Sequence, residues 1–217
     1  TGVQTCALPI SPDTKNASST LVSISTSQSA STAGDVDLGT TQLTAATAGN
    51  DLTIDVSRDA QQGGTVTLGQ VNNAGNAYLN DLTVTLFNTT DTGSSQTAGV
   101  LKLTGDVKLD ANAAGGTDAG SLLVTGGVAG TTALSRRAQV VVAPDAKNAS
   151  STLVSISTSQ SASTAGDVDL GTTQLTANAA GRDLTIDVSR DAQQGGTVTL
   201  GQVNNAGNAY RSEEHTS

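Results

Sequence analysis

Aspartate is the residue type in this sequence whose spacing could support chemistry. Asp35 and Asp37 are two positions apart, so on a β-strand both would point from one face. Asp51 and Asp55 lie on the polar side of the next clear alternating segment. A row of carboxylates could bind Ca²⁺, which prefers oxygen ligands, or could act as acid and base on a sugar. The alternative that we favour is a solvated acidic face that protects a sheet edge, so we assign no catalytic, cofactor-binding or metal-binding residue.

Residues 115–120 offer a second weak indication of calcium. The segment Gly-Gly-Thr-Asp-Ala-Gly, which contains Asp118, is similar to part of a nonapeptide calcium repeat. That motif normally occurs in tandem, and here it stands alone. We therefore do not count Asp118 as a metal ligand.

The sequence has few of the residues that zinc binding, nucleophilic catalysis or nucleic-acid binding would need. Cys6 and His215 are the single cysteine and the single histidine, and both lie near an end, so the rest offers neither a zinc site nor a nucleophilic triad. Aromatic residues make up 1% of the chain, which leaves few platforms for base stacking, and the formal net charge of −9 repels phosphate. No apolar run is long enough to cross a membrane. We expect no enzymatic activity, no cofactor, no nucleic-acid partner and no membrane insertion.

The two ends of the sequence differ from the part between them. Residues 211–217 can be back-translated as AGATCGGAAGAGCACACGTCT. The reverse complement of that DNA, read in a shifted frame, matches residues 4–10, with Gln4 matched by the last two bases of its codon. Both ends therefore resemble one sequencing-library adapter in opposite orientations. We expect residues 1–10 and 211–217 to be adapter-derived. Because they do not continue the alternating pattern, we also expect them to lie outside any core.

The part between the ends contains a long repeat. Residues 11–78 match residues 143–210 at an offset of 132, and 63 of the 68 aligned positions are identical. We interpret residues 11–142 as one full β-repeat unit and residues 143–210 as a truncated second copy. An assembly error that joined two copies is the alternative. Inside the unit, the pattern that begins at Asn50 recurs at Asn80, and we call this recurrence the internal echo.

Apolar and polar residues alternate along many short segments. Leu52, Ile54 and Val56 alternate with polar residues, and Leu82 and Val84 follow the same pattern. A period of two predicts half-buried β-strands, and the Gly- and Asn-rich segments between them predict tight corners. Many short strands with few aromatic residues predict an all-β protein, a parallel β-helix or solenoid of thin stacked coils. Tandem β-sandwich repeats are the alternative.

Three of these segments carry a family resemblance. Residues 34–38, 50–54 and 64–68, with their Ala-Gly-Asn connectors, resemble the coils of filamentous-haemagglutinin-type bacterial adhesins and autotransporter passengers. The resemblance covers most of residues 33–128 and 165–210. It implies a right-handed parallel β-helix at the cell surface, exported through an outer-membrane partner.

The repeat and the composition together predict a function. We expect a structural or adhesive region of a large secreted or surface-anchored bacterial protein, extracellular or associated with the outer membrane, that acts as a stalk or display surface. The expected partners are glycans or proteins of host or neighbouring cells, and the solenoid ends are expected to self-associate. A carbohydrate-active β-helix enzyme is one alternative, although a near-exact repeat is unusual within a catalytic domain. A mis-assembled reading frame with no native function is the other.

Overall fold

The strands of this chain are short and numerous. The computed structural model describes residues 7–10, 21–26, 33–46, 49–57, 63–71, 79–87, 98–109, 120–126, 138–145, 152–158, 165–189 and 195–203. Within these ranges the chain forms strands and no helix, which confirms the all-β prediction. In chain order the strands are β1 (Ala7–Ile10), β2 (Leu21–Ser25), β3 (Val36–Leu38), β4 (Gln42–Ala45), β5 (Asn50–Asp55), β6 (Thr65–Leu68), β7 (Leu79–Thr85), β8 (Val100–Leu103), β9 (Val107–Lys108), β10 (Leu122–Thr125), β11 (Gln139–Val142), β12 (Leu153–Ser157), β13 (Val168–Ala177), β14 (Asp183–Asp187) and β15 (Val198–Val203).

The strands lie in three rows, and every strand pair in the described ranges is parallel. The first row contains β2, β5, β7, β10 and the starts of β13 and β15. The second row contains β3, β6, β8, β11 and the ends of β13 and β15. The third row contains β1, β4, Val71, β9, β12 and β14, and Val71 links β4 to β9 through isolated bridges.

One coil is a pass of the chain through the first, second and third rows in turn. The strands β2, β3 and β4 form the first coil, β13 and β14 form the fifth, and β15 begins the sixth. This stacking confirms a parallel β-solenoid and excludes tandem sandwiches for the described ranges, because sandwich sheets are antiparallel. The coils differ in length: Leu52 pairs with Leu82, as the internal echo implies, whereas the steps from Leu82 to Leu122 and from Leu122 to Val168 are longer.

Aliphatic side chains form columns that run from coil to coil. Leu52, Leu82, Leu122 and Val168 share one register position in the first row, and all are buried. The same holds in the third row, where Val107 pairs with the buried Ile156 of β12. Because each coil places a residue of similar size above the previous one, a dense core forms almost without aromatic side chains.

The two copies of the repeated sequence form corresponding strands in different rows, although β3 and β4 of the first copy are separate and their counterpart in the second copy is the continuous strand β13. The segment Leu-Val-Ser-Ile-Ser is β2 in the first row and β12 in the third. The next coil repeats this change, since β5 lies in the first row and its counterpart β14 lies in the third. The offset between the copies therefore corresponds to three complete coils and two further rows. Equal sequence occupies unequal positions because the connections between strands differ in length.

Local hydrogen bonds are nevertheless the same in both copies. The Thr26 hydroxyl donates to the Gly34 carbonyl, and the corresponding Thr158 hydroxyl donates to the Gly166 carbonyl, both at 2.8 Å. Gly49 and its counterpart Gly181 both have positive φ, at 86° and 72°. These contacts depend on the short-range sequence and form whichever row the segment occupies, whereas residues 39–41 form a corner and the identical residues 171–173 lie within β13.

Two of the five differences between the copies contact each other. Position 178 is Asn where the first copy has Ala46, and position 182 is Arg where the first copy has Asn50. Arg182 Nε donates to Asn178 Oδ1 at 3.3 Å. Alanine has no side-chain acceptor and asparagine has no guanidinium, so this bond requires both substitutions together.

Glycines mark the corners where neighbouring coils approach most closely. A Cβ on Gly64 would lie much closer to the Gly34 carbonyl oxygen than van der Waals contact allows. A Cβ on Gly99 would clash with the Gly64 carbonyl oxygen in the same way. These contacts are to backbone, which cannot rotate away as a side chain can. Glycine is therefore required at positions 64 and 99 by the spacing of the coils.

The N-terminal end is partly regular, which its sequence pattern did not predict. Residues Ala7–Ile10 form β1 and pair with β4 in parallel. The physical reason is that β4 begins the third row and offers an open edge, where a short extended segment can pair. Pro9 lacks an N–H, which an outermost strand tolerates. Residues 1–6 and 211–217 lie outside the described residues, and the adapter origin of both ends stays a prediction.

Candidate functional site

Carboxylates connect successive coils where the first-row strands begin. Asp51 Oδ1 accepts a hydrogen bond from the Asp81 backbone N–H at 3.1 Å and another from Asn80 Nδ2 at 2.9 Å. Asp81 Oδ1 in turn accepts from the Ser121 N–H at 2.9 Å. Each carboxylate thus extends the backbone ladder by one bond to the following coil.

The same column continues through the second half of the described chain. Ser121 Oγ accepts from the Asp167 N–H at 3.2 Å, and Asp167 Oδ1 accepts from the Thr197 N–H at 2.7 Å. Asp51, Asp81, Ser121 and Asp167 occupy one register position in successive coils, and we call them the Asp column. A hydrogen bond to a charged acceptor is stronger than a neutral one, so the column holds the strand starts in register.

Among the described residues, the second and third rows each show one example of the same arrangement. In the second row, Asp35 Oδ1 accepts from the Thr65 N–H at 2.7 Å. In the third row, Asp106 Oδ1 accepts from the Ser155 N–H at 2.9 Å. Aspartate at or just before the start of a strand is therefore a recurrent connection between the described coils.

A second set of aspartates closes corners within a coil. Asp37 Oδ1 accepts from the Gly39 N–H at 3.0 Å, two positions further along. Asp55 Oδ1 accepts from both the N–H and the hydroxyl of Ser57, at 2.9 and 2.7 Å. These are Asx-type turns, in which the side chain replaces a backbone acceptor. The second copy repeats both turns.

The predicted acidic row is thus divided between two structural roles. Asp35 and Asp51 connect neighbouring coils, whereas Asp37 and Asp55 close corners of their own coil. Across the described ranges, no group of three or more His, Cys, Asp or Glu side chains converges as a metal site. Asp118 and its glycine-rich motif fall outside the described residues, except for Gly120.

The outward surface of the first row is a strip of short side chains. Thr53, Thr83, Leu123 and Asp169 occupy one outward position in successive coils. Leu123 is 41% exposed and interrupts the otherwise polar strip. Hydroxyls and a carboxylate on a regular strand spacing offer many weak hydrogen-bonding contacts to an extended polar ligand.

Sequence comparison adds no relative from which a site could be transferred. No family model, no curated protein and no solved structure matches the chain. Among the described residues there is no helix with the length and apolarity needed to span a bilayer. The chemistry of the surface therefore has to be argued from the coils themselves.

Proposed function

We propose that the chain is a structural and adhesive repeat region of a large secreted or surface-anchored bacterial protein, which acts as a stalk or display surface. The observation that supports this most directly is that both copies belong to one continuous solenoid. Strand β13 of the second copy pairs with β10 and β11 of the first unit in the ordinary inter-coil register. A further copy lengthens the structure instead of forming a separate domain.

The length added by one unit follows from the strand spacing. Neighbouring strands are about 4.8 Å apart, so three coils and two further rows extend the axis by about 18 Å. The three-row core repeats from coil to coil, so added units lengthen the core and do not widen it. A protein with many units would therefore hold its outer end far from its anchor, which is what a stalk requires.

The two paired substitutions support the reality of the second copy. Asn178 and Arg182 differ from the first copy and hydrogen-bond to each other. A random joining of reads from one copy would not introduce substitutions that interact. This favours two natural variants of one repeat.

Adhesion is assigned to the outward strips at the cell surface. The first-row strip carries the hydroxyls of Thr53 and Thr83 and the carboxylate of Asp169, which suit glycans or extended polypeptides of neighbouring cells. Each contact is weak, so affinity would come from the number of coils that engage together. An array of units bound to beads should hold glycan-coated surfaces more strongly as unit number rises.

Small-angle scattering of chains with one, two and three copies of residues 11–142 tests the stalk. The maximum dimension should increase by about 18 Å for each unit, with an unchanged cross-sectional radius. A cross-section that grows with unit number would contradict the proposal. So would a single unit that cleaves a polysaccharide, since that outcome favours the carbohydrate-active enzyme.

A further inference from the structure

Three of the five differences between the two copies lie at one corner of the coil. The substituted pairs are Ala46 and Asn178, Thr47 and Ala179, and Asn50 and Arg182. Every leucine, isoleucine and valine of the repeated sequence is the same in both copies. We call residues 46–50 and 178–182 the variable corner. The copies thus differ in what this corner displays and agree in the aliphatic core that supports it.

The variable corner projects from the coil even where a later coil covers the neighbouring strand. In the first copy β7 pairs with β5, yet Ala46 is exposed and a Cβ on Gly49 would find no described neighbour within 4 Å. A Cβ on Gly181 would likewise find none. Both glycines have positive φ. The fold itself therefore displays this corner, and the display does not depend on how many coils follow.

The second copy places a guanidinium at the variable corner. Asn50 is 7% exposed at the start of β5, whereas the longer side chain of its counterpart Arg182 extends to the exposed Asn178. Arg182 Nε donates to Asn178 Oδ1 at 3.3 Å. Long cationic side chains can cover their stems in this way while the charged end stays in water. Asn178 thus holds the charged group in one place at the surface.

A guanidinium held through Nε suits a carboxylate ligand. The planar group has five N–H donors and binds a carboxylate through two parallel hydrogen bonds. The formal net charge of −9 opposes the approach of a polyanion, which favours a ligand with a single carboxylate. Thr176 and Thr185 lie at outward positions of the two strands that the corner joins, and their hydroxyls suit the hydroxyls of a sugar.

We propose that the variable corner of the second copy binds a sugar that carries one carboxylate, and that Arg182 contacts this carboxylate. The proposal rests on the proposed adhesion to glycans and names the glycan class. Residues 46–50 of the first copy include no cation, so that corner lacks the group that recognises the acid. Copies within one stalk would then differ in the glycans that they recognise.

Ligand-observed nuclear magnetic resonance on the full chain tests the proposal. The probes are the methyl glycosides of N-acetylneuraminic acid and of glucuronic acid. The controls are the methyl esters of the same two sugars, which lack the charge. We expect at least one acid to bind about tenfold more tightly than its ester, because the ester cannot form the charge-assisted pair.

Three variants locate the site. Arg182→Gln should abolish the preference for acid over ester, because it removes the guanidinium. Asn178→Ala should weaken acid binding about three- to tenfold, because the guanidinium is no longer held in place. Lys102→Gln is the matched control, since it removes an exposed cation of the second row with the same change in net charge, and it should leave acid binding unchanged. An unchanged circular dichroism spectrum would show that each variant keeps its coils.

Equal binding of acid and ester by the parent chain would overturn the proposal, and so would equal losses for Arg182→Gln and Lys102→Gln. An aspartate-rich peptide that binds more tightly than either acid, and loses its binding in Arg182→Gln, would show that the corner binds acidic polypeptides instead. The proposed function is tested separately, by bead arrays on surfaces coated with uncharged glycans. Arrays that hold more strongly as unit number rises, while acid and ester bind alike, would refute the corner site and leave adhesion intact.

Discussion

The exposure difference between the two copies makes a quantitative prediction for one pair of substitutions. Leu68→Ala and Leu200→Ala change the same position of the repeated sequence, once where the side chain is buried beneath the following coil and once where it is partly exposed. Leu68 is fully buried, and truncation of such a leucine costs about 2–5 kcal/mol, because it loses transfer free energy and leaves a cavity. Leu200 is 43% exposed, so about half of the transfer term applies and no closed cavity forms, which gives about 1 kcal/mol.

Urea unfolding followed by circular dichroism measures both variants against the parent chain. We expect the free energy of unfolding to fall by about 3 kcal/mol for Leu68→Ala and about 1 kcal/mol for Leu200→Ala. Equal losses would contradict this reasoning, because they would mean that Leu200 is covered in solution as completely as Leu68. A larger loss for Leu200→Ala would refute the stacking order itself.

Three further predictions follow from the coils. Gly64→Ala should lower the free energy of unfolding by about 3 kcal/mol or more, because the new Cβ would meet backbone atoms. Gly49 has open space around it, so Gly49→Ala should lower the free energy by only about 1 kcal/mol, because of its positive φ. Similar losses for the two variants in thermal melts would contradict this. In a chain that carries Cys6→Ser, Lys108→Cys with Ser157→Cys should form a disulfide on oxidation, because the two positions are in register on strands about 4.8 Å apart. Lys108→Cys with Ser25→Cys, which is the same position in the first copy, should not form one. Mass spectrometry that found both pairs crosslinked would disprove the change of row. Calcium should shift the melting temperature by less than about 3 °C relative to chelator, since the described aspartates bond the backbone; a shift of about ten degrees or more would indicate a metal site.

The strand pattern was readable from sequence because the period of two is local. Leu52 and Ile54 alternate with polar residues, and each is buried as the alternation predicts. The scarcity of aromatic residues correctly indicated stacked coils, since columns such as Leu52 over Leu82 need only aliphatic residues of similar size. These features depend on neighbours in sequence or on composition, and both are visible without a structure.

The role of the aspartates was missed because it depends on the next coil. The alternation placed Asp51 on a polar face, and nothing local shows that its carboxylate accepts the Asp81 N–H. The signal was nevertheless present, because Asp51 and Asp81 stand at the same place in the internal echo. Two identical acceptors one coil apart indicate a column, whereas Asp118 had no such partner.

The row occupied by each copy could not have been predicted, because identical sequence lies in two rows. The strand β5 is in the first row and β14 is in the third, although residues 51–55 and 183–187 have the same sequence. What differs is the accumulated length of the connections, which is greater on either side of β10 than between β5 and β7. Those connections carry little alternating pattern, so their effect on the winding appears only in three dimensions.

This change of row has a consequence for how an array would present its surface. Each copy is advanced by three coils and two rows, so a third copy with the same offset would occupy the remaining row, and three offsets would total eleven coils. An outward residue such as Thr53 in the first row has its counterpart Thr185 in the third. The copies of one outward residue would then lie on all three sides of the solenoid in turn. On any one side they would recur every eleven coils, which is about 50 Å at about 4.8 Å per coil. A stalk built in this way would present the same outward residues to a partner on every side. On each side, however, only one copy in three would be placed to bind.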